Sequence, residues 1–411
     1  MWRWRDGDRV SKVKEQGRGR QTGPHMEELK LKARDSVEVQ RQQLIQLSLN
    51  IHSNPELAFR EEKASAWLTG YLEENGFRLV RGICGLATAF QATYGRGRPT
   101  VALLAEYDAL PEMGHACGHN IIGVSAVGAG VASKCIVDRS GGSIVVVGTP
   151  AEEGLGGKID MVKAGAFKDM DAAMIIHPNS LNMVTIEALA CSTLDAEFFG
   201  RPAHAAGQPH KGINALEAMV LAFTAINSLR QHIRGDARIH GIITDGGEAP
   251  NIVPAHSAAE FLVRAADNEY LTELRGRVLN CFTGASMASG ARLEYAWRDK
   301  TYAPMKNNVT MAELFSKNLE SLGRQVVPFD PSFGFGSTDM GNVSQVVPSI
   351  HPTVAIAPAD VSPHTPEFAS AAASEAGHEG LIDAAKAMAM TVADVLQPGM
   401  LDRVRQDFGH G

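Results

Sequence analysis

The chain has 411 residues and a formal net charge of −7 at pH 7; 44% of its residues are hydrophobic and 21% are charged. This length favours two folded units, and the composition is that of a globular protein with a sizeable core. The acidic balance argues against nucleic acid as a partner. No apolar run approaches the roughly 18 residues that cross a bilayer, so no membrane partner is expected.

Five scattered cysteines do not follow the pattern of a disulfide framework, which favours a reducing, cytoplasmic setting. The first 26 residues carry seven Arg or Lys against three acidic residues, and they contain no apolar stretch typical of a secretory signal. We interpret 1–26 as a disordered leader. An Arg-rich transit peptide is the alternative, and the acidic residues argue against it.

Helical periodicity begins after this leader, over 27–50 and again over 56–77, where Gly76 ends the pattern. Three short apolar runs follow, separated by helical stretches at 121–137 and 157–167. These runs are typical of buried parallel strands and lie at 100–108, 143–154 and 172–178. The alternation of strand and helix predicts an α/β sheet.

The pattern changes at residue 191, after which apolar and polar residues alternate along each strand with a period of two. Over 191–303 the order of elements is β-α-β-β-α-β, which predicts a smaller, ferredoxin-like α+β domain. Helix and buried strand return over 304–397, and 398–411 forms a tail. We therefore predict a larger α/β domain, made of 27–190 and 304–397, that the smaller domain interrupts.

Each of the three buried runs ends in residues with titratable side chains. These are Glu106 and Asp108, Glu152 and Glu153, and His177. Ligands bind in α/β proteins at the carboxyl ends of parallel strands, so these side chains are expected at one sheet edge. The motif HACGHN, at 115–120, directly follows the first run. Alone it leaves three alternatives: a metal site, Cys117 as a nucleophile, or a turn without chemistry.

Beside the other strand-end residues, the metal site is favoured. Thiolate, imidazole and carboxylate groups are zinc-type ligands. The candidate ligands are Cys117, His119, Glu153, His177 and, from the later loop SPHTPEF, His364. This set suffices for two metal ions that share one ligand and activate water for attack on a carbonyl. Glu152 is the predicted general base, and Asp108 is predicted to orient a ligating side chain.

The motifs AEYDALPEMGHACGHN, TPAEEG, IIHP, GRPAHAA, APNIVP and GSTDMGNVS occur in this order. In order and spacing they resemble the peptidase M-twenty zinc amidohydrolases, and most closely the branch of aminobenzoyl-glutamate hydrolase subunits and dipeptidases. The resemblance covers about 27–397. It implies a catalytic domain of zinc-exopeptidase type, a lid through which two copies dimerise, and two zinc or manganese ions bridged by Cys117 or His119.

Three further residues follow only from the resemblance. His204, in GRPAHAA, would polarise the substrate carbonyl, often from the partner subunit, while Asn251 and Arg264 would hold a substrate carboxylate. The chain departs from the carboxypeptidase branch at 106–108, where Glu-Tyr-Asp stands in place of His-x-Asp. Asn120 stands where many relatives have Asp.

We therefore predict a cytoplasmic, homodimeric, metal-dependent hydrolase that cleaves the amide bond of a small N-acyl amino acid or dipeptide. One alternative is a thiol amidase with Cys117 as nucleophile. Another is a catalytically silent binding or scaffold protein with the same fold. Every expected catalytic position is filled, which argues against the silent protein.

Overall fold

The computed structural model describes residues 24–329 and 336–409. The predicted leader lies outside the described residues, except where helix α1 begins at Pro24. The first helices are α1 (Pro24–His52), α2 (Glu62–Glu74), α3 (His119–Ala132), α4 (Lys134–Ser140) and α5 (Gly157–Lys163). The strands among them are β1 (Arg78–Arg81), β2 (Phe90–Arg96), β3 (Thr100–Ala105), β4 (Gly142–Gly148), β5 (Ala172–Met174) and β6 (His177–Asn179).

The next segment forms a unit with its own sheet and core. Its elements are β7 (Ala190–Phe199), α6 (Ala215–Arg230), β8 (Arg238–Asp245), β9 (His256–Ala265), α7 (Asn268–Ser289) and β10 (Arg292–Trp297). The sheet is antiparallel with the order β10-β7-β9-β8, the arrangement of a ferredoxin-like domain. Alternate residues of β9 are buried and join residues of α6 and α7 in a second hydrophobic core. The predicted lid fold is confirmed.

The chain then returns to the larger domain. Its last elements are α8 (Val309–Ser321), α9 (Met340–Ser344), β11 (Ser349–Ile350), β12 (Thr353–Ala355), α10 (Pro366–Ala371), α11 (Glu375–Val395) and α12 (Met400–Gly409). The large sheet has the order β1-β2-β4-β3-β5-β11, in which the last four strands are parallel. β6 and β12 form a separate parallel pair. The predicted α/β fold is confirmed.

Helix α3 lies at the centre of the larger core, where it packs against α1, α11 and β3. All fourteen of its residues are buried. By length and composition the helical stretch His119–Ser140 is apolar enough to cross a membrane, so the statement that no apolar run approaches about 18 residues was wrong. Because 89% of its apolar window is buried inside the fold, it is the core helix of the α/β domain.

The structure differs from the predicted elements in three places. Helix α2 begins at Glu62 rather than near residue 56, because Phe59 has a φ of +61° and breaks the helical pattern. The predicted strand over 172–178 is divided, since the chain passes from the large sheet to the β6–β12 pair. The predicted tail contains α12, whose Val404 is buried in the main core.

Candidate active site and metal centre

Neighbouring parallel strands bring the predicted site residues to one edge of the large sheet. β3 lies between β4 and β5, and all three run in the same direction. Ala105 at the end of β3 pairs with Gly148 at the end of β4. The segments 106–108 and 149–153 therefore leave the sheet side by side. HACGHN and β6 lie at the same edge.

The HACGHN loop turns at Gly118, which precedes α3 and has a φ of +78°. A Cβ atom at this position would lie 2.8 Å from Cγ of Pro178, closer than real Cβ contacts. Glycine tolerates the left-handed backbone and leaves room for this proline. The turn places Cys117 Sγ 3.3 Å from His177 Nε2, and His119 joins the same group.

His119 is completely buried and is held by Asp108. Its Nδ1 atom lies 3.1 Å from Asp108 Oδ1, and Asp108 Oδ2 accepts a hydrogen bond from the Glu153 backbone N–H. The other ring nitrogen, Nε2, has no hydrogen-bond partner among the described residues and lies 3.7 Å from Glu106 Oε2 and 3.9 Å from Glu153 Oε1. A buried, unpaired nitrogen between carboxylates has the surroundings of a metal ligand.

The other two candidate histidines also present Nε2 to this space. His177 donates from Nδ1 to the Pro178 carbonyl, 2.7 Å away, which leaves Nε2 free to accept a cation. His364 Nε2 lies 3.3 Å from Glu153 Oε1. The backbone N–H of His364 donates to the Ala116 carbonyl and ties the C-terminal loop to HACGHN.

The candidate ligands form groups whose donor atoms lie within 4.8 Å of one another. They are Cys117 with His119 and His177, Cys117 with Glu153 and His364, and His119 with Glu152 and Glu153. Sulfur, imidazole nitrogen and carboxylate oxygen at such spacing fit a divalent transition metal. Cys117 belongs to two groups that share no other residue. The residues present therefore fit a metal centre.

The environment does not suit Cys117 as a nucleophile acting without metal. Burial raises the pKa of its thiol well above the usual range. Reactive cysteines instead have a lowered pKa and some exposure to solvent. Burial also raises the pKa of Glu152, assisted by the nearby carboxylates of Glu106 and Asp339. A carboxylate with a raised pKa suits a general base.

Glu106 is part of a buried ion network that the sequence analysis did not identify. Lys158 is completely buried, with Nζ 2.5 Å from Glu106 Oε1 and 2.7 Å from Asp339 Oδ1. The Lys158 backbone N–H also donates to Asp339 Oδ2. This cation offsets the negative charge behind the candidate ligands. The available sequence signal was a lysine at the start of the predicted helical stretch 157–167, directly after the motif TPAEEG and its glycines.

A cavity of about 290 Å³ opens beside the candidate ligands. Besides Cys117, Glu152, Glu153, His177 and His364, it is lined by ten residues: Asn179, Ile186, Glu187, Ala188, Gly336, Ser337, Thr338, His351, Thr353 and Pro363. His351 is buried, and within the part of the chain that the structure describes neither of its ring nitrogens has a hydrogen-bond partner. The tripeptide Ile-His-Pro occurs at 176–178 and again at 350–352, a signal that the sequence analysis missed.

The three residues implied by the resemblance alone are placed in the smaller domain. His204 is exposed, and its Nδ1 accepts hydrogen bonds from the backbone N–H groups of Ala206 and Gly207. Asn251 lies beside it, since the Asn251 carbonyl accepts from Ala205 N–H. Neither residue lines the cavity. Arg264 reaches it indirectly, donating to Ser337 Oγ at 2.8 Å.

Comparisons with known proteins agree with this geometry. The family described as Peptidase family M20/M25/M40 matches residues 102–392. The chain is 37% identical over 407 residues to Xaa-Arg dipeptidase of Mus musculus, covering 95% of this chain and 94% of the relative. It is 29% identical over 452 residues to one of the p-aminobenzoyl-glutamate hydrolase subunits of Escherichia coli (strain K12), covering 91% and 93% respectively.

Solved structures share the fold. Aminobenzoyl-glutamate utilization protein from Klebsiella pneumoniae superposes with a TM-score of 0.70 at 19% identity, covering 89% of this chain and 98% of that one. A dinuclear metal binding peptidase from the M20 family of Bacillus subtilis gives a TM-score of 0.68 at 20% identity, covering 88% and 99%. The chain thus belongs to peptidase family M20/M25/M40 and is a metal-dependent hydrolase of amide or peptide bonds.

Proposed function

We propose that the protein hydrolyses a small dipeptide or N-acyl amino acid in the cavity beside the candidate ligands. The observation that carries this proposal is that four of the five candidate ligands and Glu152 line that cavity, and that the fifth, His119, is grouped with them. The cavity volume, about 290 Å³, suits a small substrate rather than a folded protein.

The donor set would hold two divalent ions, which we propose to be zinc or manganese. Cys117, His119, Glu153, His177 and His364 would hold them, because these side chains supply the donor atoms of the groups described above. Bound divalent ions polarise a carbonyl and lower the pKa of water from about 15.7 towards 7. Asp108 fixes the ring orientation of His119 and the backbone of Glu153, so it acts as a positioning residue.

Glu152 is the proposed general base. Its carboxylate lies in one group with His119 and Glu153, where it would accept a proton from water and return that proton to the leaving amine. Lys158 holds Glu106 and Asp339, whose charges contribute to the raised pKa of Glu152.

The positions of the predicted substrate-contacting residues His204 and Asn251 support a homodimer. His204 and Asn251 are adjacent in the lid but lie away from the cavity of their own chain. We propose that they complete the cavity of a second copy, where His204 would polarise the scissile carbonyl. Arg264, at Ser337 on the cavity wall, would hold a substrate carboxylate from its own chain.

Glu187 indicates a preference for a cationic substrate group. It is the exposed acidic residue of the cavity lining, apart from the carboxylates grouped with the candidate ligands. A carboxylate there would favour a Lys or Arg side chain over an acidic one. The relative from Mus musculus is named Xaa-Arg dipeptidase, in keeping with this preference. A cytoplasmic location remains a prediction.

The test is a hydrolysis screen on protein stripped of metal and reloaded with zinc or manganese. The panel contains dipeptides ending in Arg, Lys, Ala or Glu, N-acyl amino acids and aminobenzoyl-glutamate. We expect hydrolysis that chelation removes and metal restores, with Arg and Lys preferred over Glu. Glu187→Gln should reduce this preference without lowering hydrolysis of the dipeptide ending in Ala.

Glu152→Gln tests the base. We expect kcat to fall by about 10²–10⁴-fold, the usual contribution of general base catalysis, while bound metal stays at the wild-type amount. Full activity in this variant would contradict the assignment. Inhibition by a thiol reagent with no effect of chelation would instead favour the thiol amidase.

A further inference from the structure

The backbone immediately before Glu152 has an unusual conformation. Ala151 is completely buried and has a φ of +61°, in the left-handed region that residues with a Cβ rarely adopt. Its carbonyl accepts a hydrogen bond from Gly157 N–H at 3.1 Å. Because Glu152 follows directly, the dihedral angles of Ala151 determine the direction in which Glu152 leaves the sheet edge.

A buried carboxylate from a distant segment holds this conformation. The backbone N–H of Ala151 donates to Glu61 Oε1 at 3.0 Å, across 90 positions of sequence. The same oxygen accepts from Phe59 N–H at 2.9 Å, and Oε2 accepts from Thr88 Oγ1 at 2.8 Å. Glu61 is 0% exposed, so each of these bonds forms away from water.

The bond to Ala151 has a function that is distinct from general packing. A left-handed alanine is disfavoured, and it persists where the surrounding contacts determine it. A hydrogen bond to a carboxylate is stronger than one between neutral groups. Glu153 is fixed separately, because its backbone N–H donates to Asp108. Loss of Glu61 should therefore displace Glu152 more than it displaces the candidate ligand Glu153.

We propose that Glu61 is a positioning residue, which holds Ala151 in the left-handed conformation and thereby directs Glu152 into the cavity. The proposal rests on the proposed function, in which Glu152 is the base. Glu61 lies in the turn that precedes α2, and it would affect catalysis only through the position of Glu152.

The first experiment compares Glu61→Ala, Glu61→Gln and Glu61→Asp in the metal-loaded enzyme, well below its melting temperature. We expect Glu61→Ala to lower kcat by about 10- to 100-fold with KM and bound metal unchanged, since small misplacements of a catalytic group cost this much. Glu61→Gln should keep kcat within a few-fold. Its amide oxygen can accept both backbone N–H groups, and its amide nitrogen can donate to Thr88 Oγ1. Glu61→Asp is too short to reach all partners and should resemble Glu61→Ala, so it replaces that variant if Glu61→Ala does not fold.

Glu56→Ala is the matched control. Glu56 lies in the same turn, and its carboxylate accepts hydrogen bonds from Lys63 and Ala64 N–H at the start of α2. Its side chain makes no described bond to 149–153. We expect this variant to lower the melting temperature and leave kcat unchanged. An equal loss of kcat in Glu56→Ala and Glu61→Ala would mean that the turn acts only through overall stability.

The second experiment introduces Ala151→Gly into the wild type, Glu61→Ala and Glu61→Asp. Glycine adopts the left-handed conformation without a Cβ penalty, so it depends less on Glu61. We expect kcat to change little in the wild type and to rise several-fold in either Glu61 variant. The same fold-change in all backgrounds would show that Glu61 does not act through Ala151, and would overturn the proposal.

Glu152→Gln, measured in parallel, distinguishes a failure of the positioning proposal from a failure of the proposed function. If Glu152→Gln is inactive and Glu61→Ala and Glu61→Asp keep wild-type kcat, the positioning proposal fails while the proposed function stands. If Glu152→Gln is fully active, the base assignment fails and the positioning proposal fails with it.

Discussion

At the scale of single residues, the candidate site contains groups suited to chemistry and groups that hold them. His119 and His177 each have one ring nitrogen near an acceptor, Asp108 and the Pro178 carbonyl respectively. This contact fixes which ring nitrogen faces the other candidate ligands, as is usual for metal-binding histidines. Gly118 has a similar supporting role, because it sets the turn between Cys117 and His119.

We predict that Gly118→Ala is strongly destabilising and lowers metal binding. A left-handed alanine costs about 1–2 kcal/mol relative to glycine. Here the new Cβ would also meet Pro178, which lies against the turn. The measurements are the free energy of unfolding of the metal-free protein and the metal retained after dialysis.

Gly290→Ala is the control for this variant. Gly290 also has a left-handed φ, of +76°, but a Cβ there meets nothing within 4 Å. In Gly290→Ala the free energy of unfolding should fall only by the backbone cost, about 1–2 kcal/mol, and the protein should keep its metal. Equal losses in the two variants, with metal retained in both, would contradict the role given to Gly118.

At the scale of elements, the lid sheet has an unpaired edge at β8, beside the outer face of α6. Four exposed apolar residues lie on these two elements: Val220, Leu221, Ile242 and Ile243. Exposed strand edges are usually protected by charge or by pairing with another chain. In the homodimer proposed above, this edge is the surface that we assign to the second copy.

We predict that Ile242→Lys converts the dimer to a monomer and lowers activity together with it. Ile242 is 66% exposed on β8, so a lysine is tolerated in the monomer but buried without a partner charge in the dimer. Light scattering after size-exclusion chromatography measures the mass, and kcat is measured on the same sample. Met287→Lys is the control, at another exposed site of the lid. A wild-type chain that is monomeric and fully active would contradict the homodimer proposal.

At the scale of the whole molecule, the larger domain and the lid have separate hydrophobic cores. Cys191 and Tyr302, where the chain enters and leaves the lid, exchange two backbone hydrogen bonds, of 3.0 and 2.9 Å. The candidate ligands come from both sides of this insertion, since Glu153 precedes the lid and His364 follows it. A bound cation would therefore connect the two parts of the larger domain.

We predict that metal stabilises the protein in a concentration-dependent way. A ligand that binds only the folded state contributes about 2.7 kcal/mol at a free concentration 100 times its Kd. The measurement is the melting temperature over a range of free zinc or manganese. His177→Ala should lose most of the dependence, whereas His204→Ala, in the lid, should keep it. A melting temperature that does not respond to metal would contradict the proposed centre.

Much of the fold could be predicted from local patterns in the sequence. The buried runs at 100–108 and 143–154 became parallel strands, and the order of elements over 191–303 became the ferredoxin-like sheet. Element boundaries were less predictable. The start of α2, for example, depends on the left-handed Phe59 and on Glu61, whose partner Ala151 lies far along the chain.

The sequence alone determined which side chains are available for chemistry and that they follow buried strands, because apolar runs and the residues that end them are local features of the chain. Only the tertiary structure decided how those side chains are held. The bonds Glu61–Ala151 and Lys158–Asp339 span 90 and 181 positions, and no short motif contains both partners. Burial makes these distant bonds strong enough to hold a left-handed alanine and a buried lysine in place. Burial in turn depends on the whole fold.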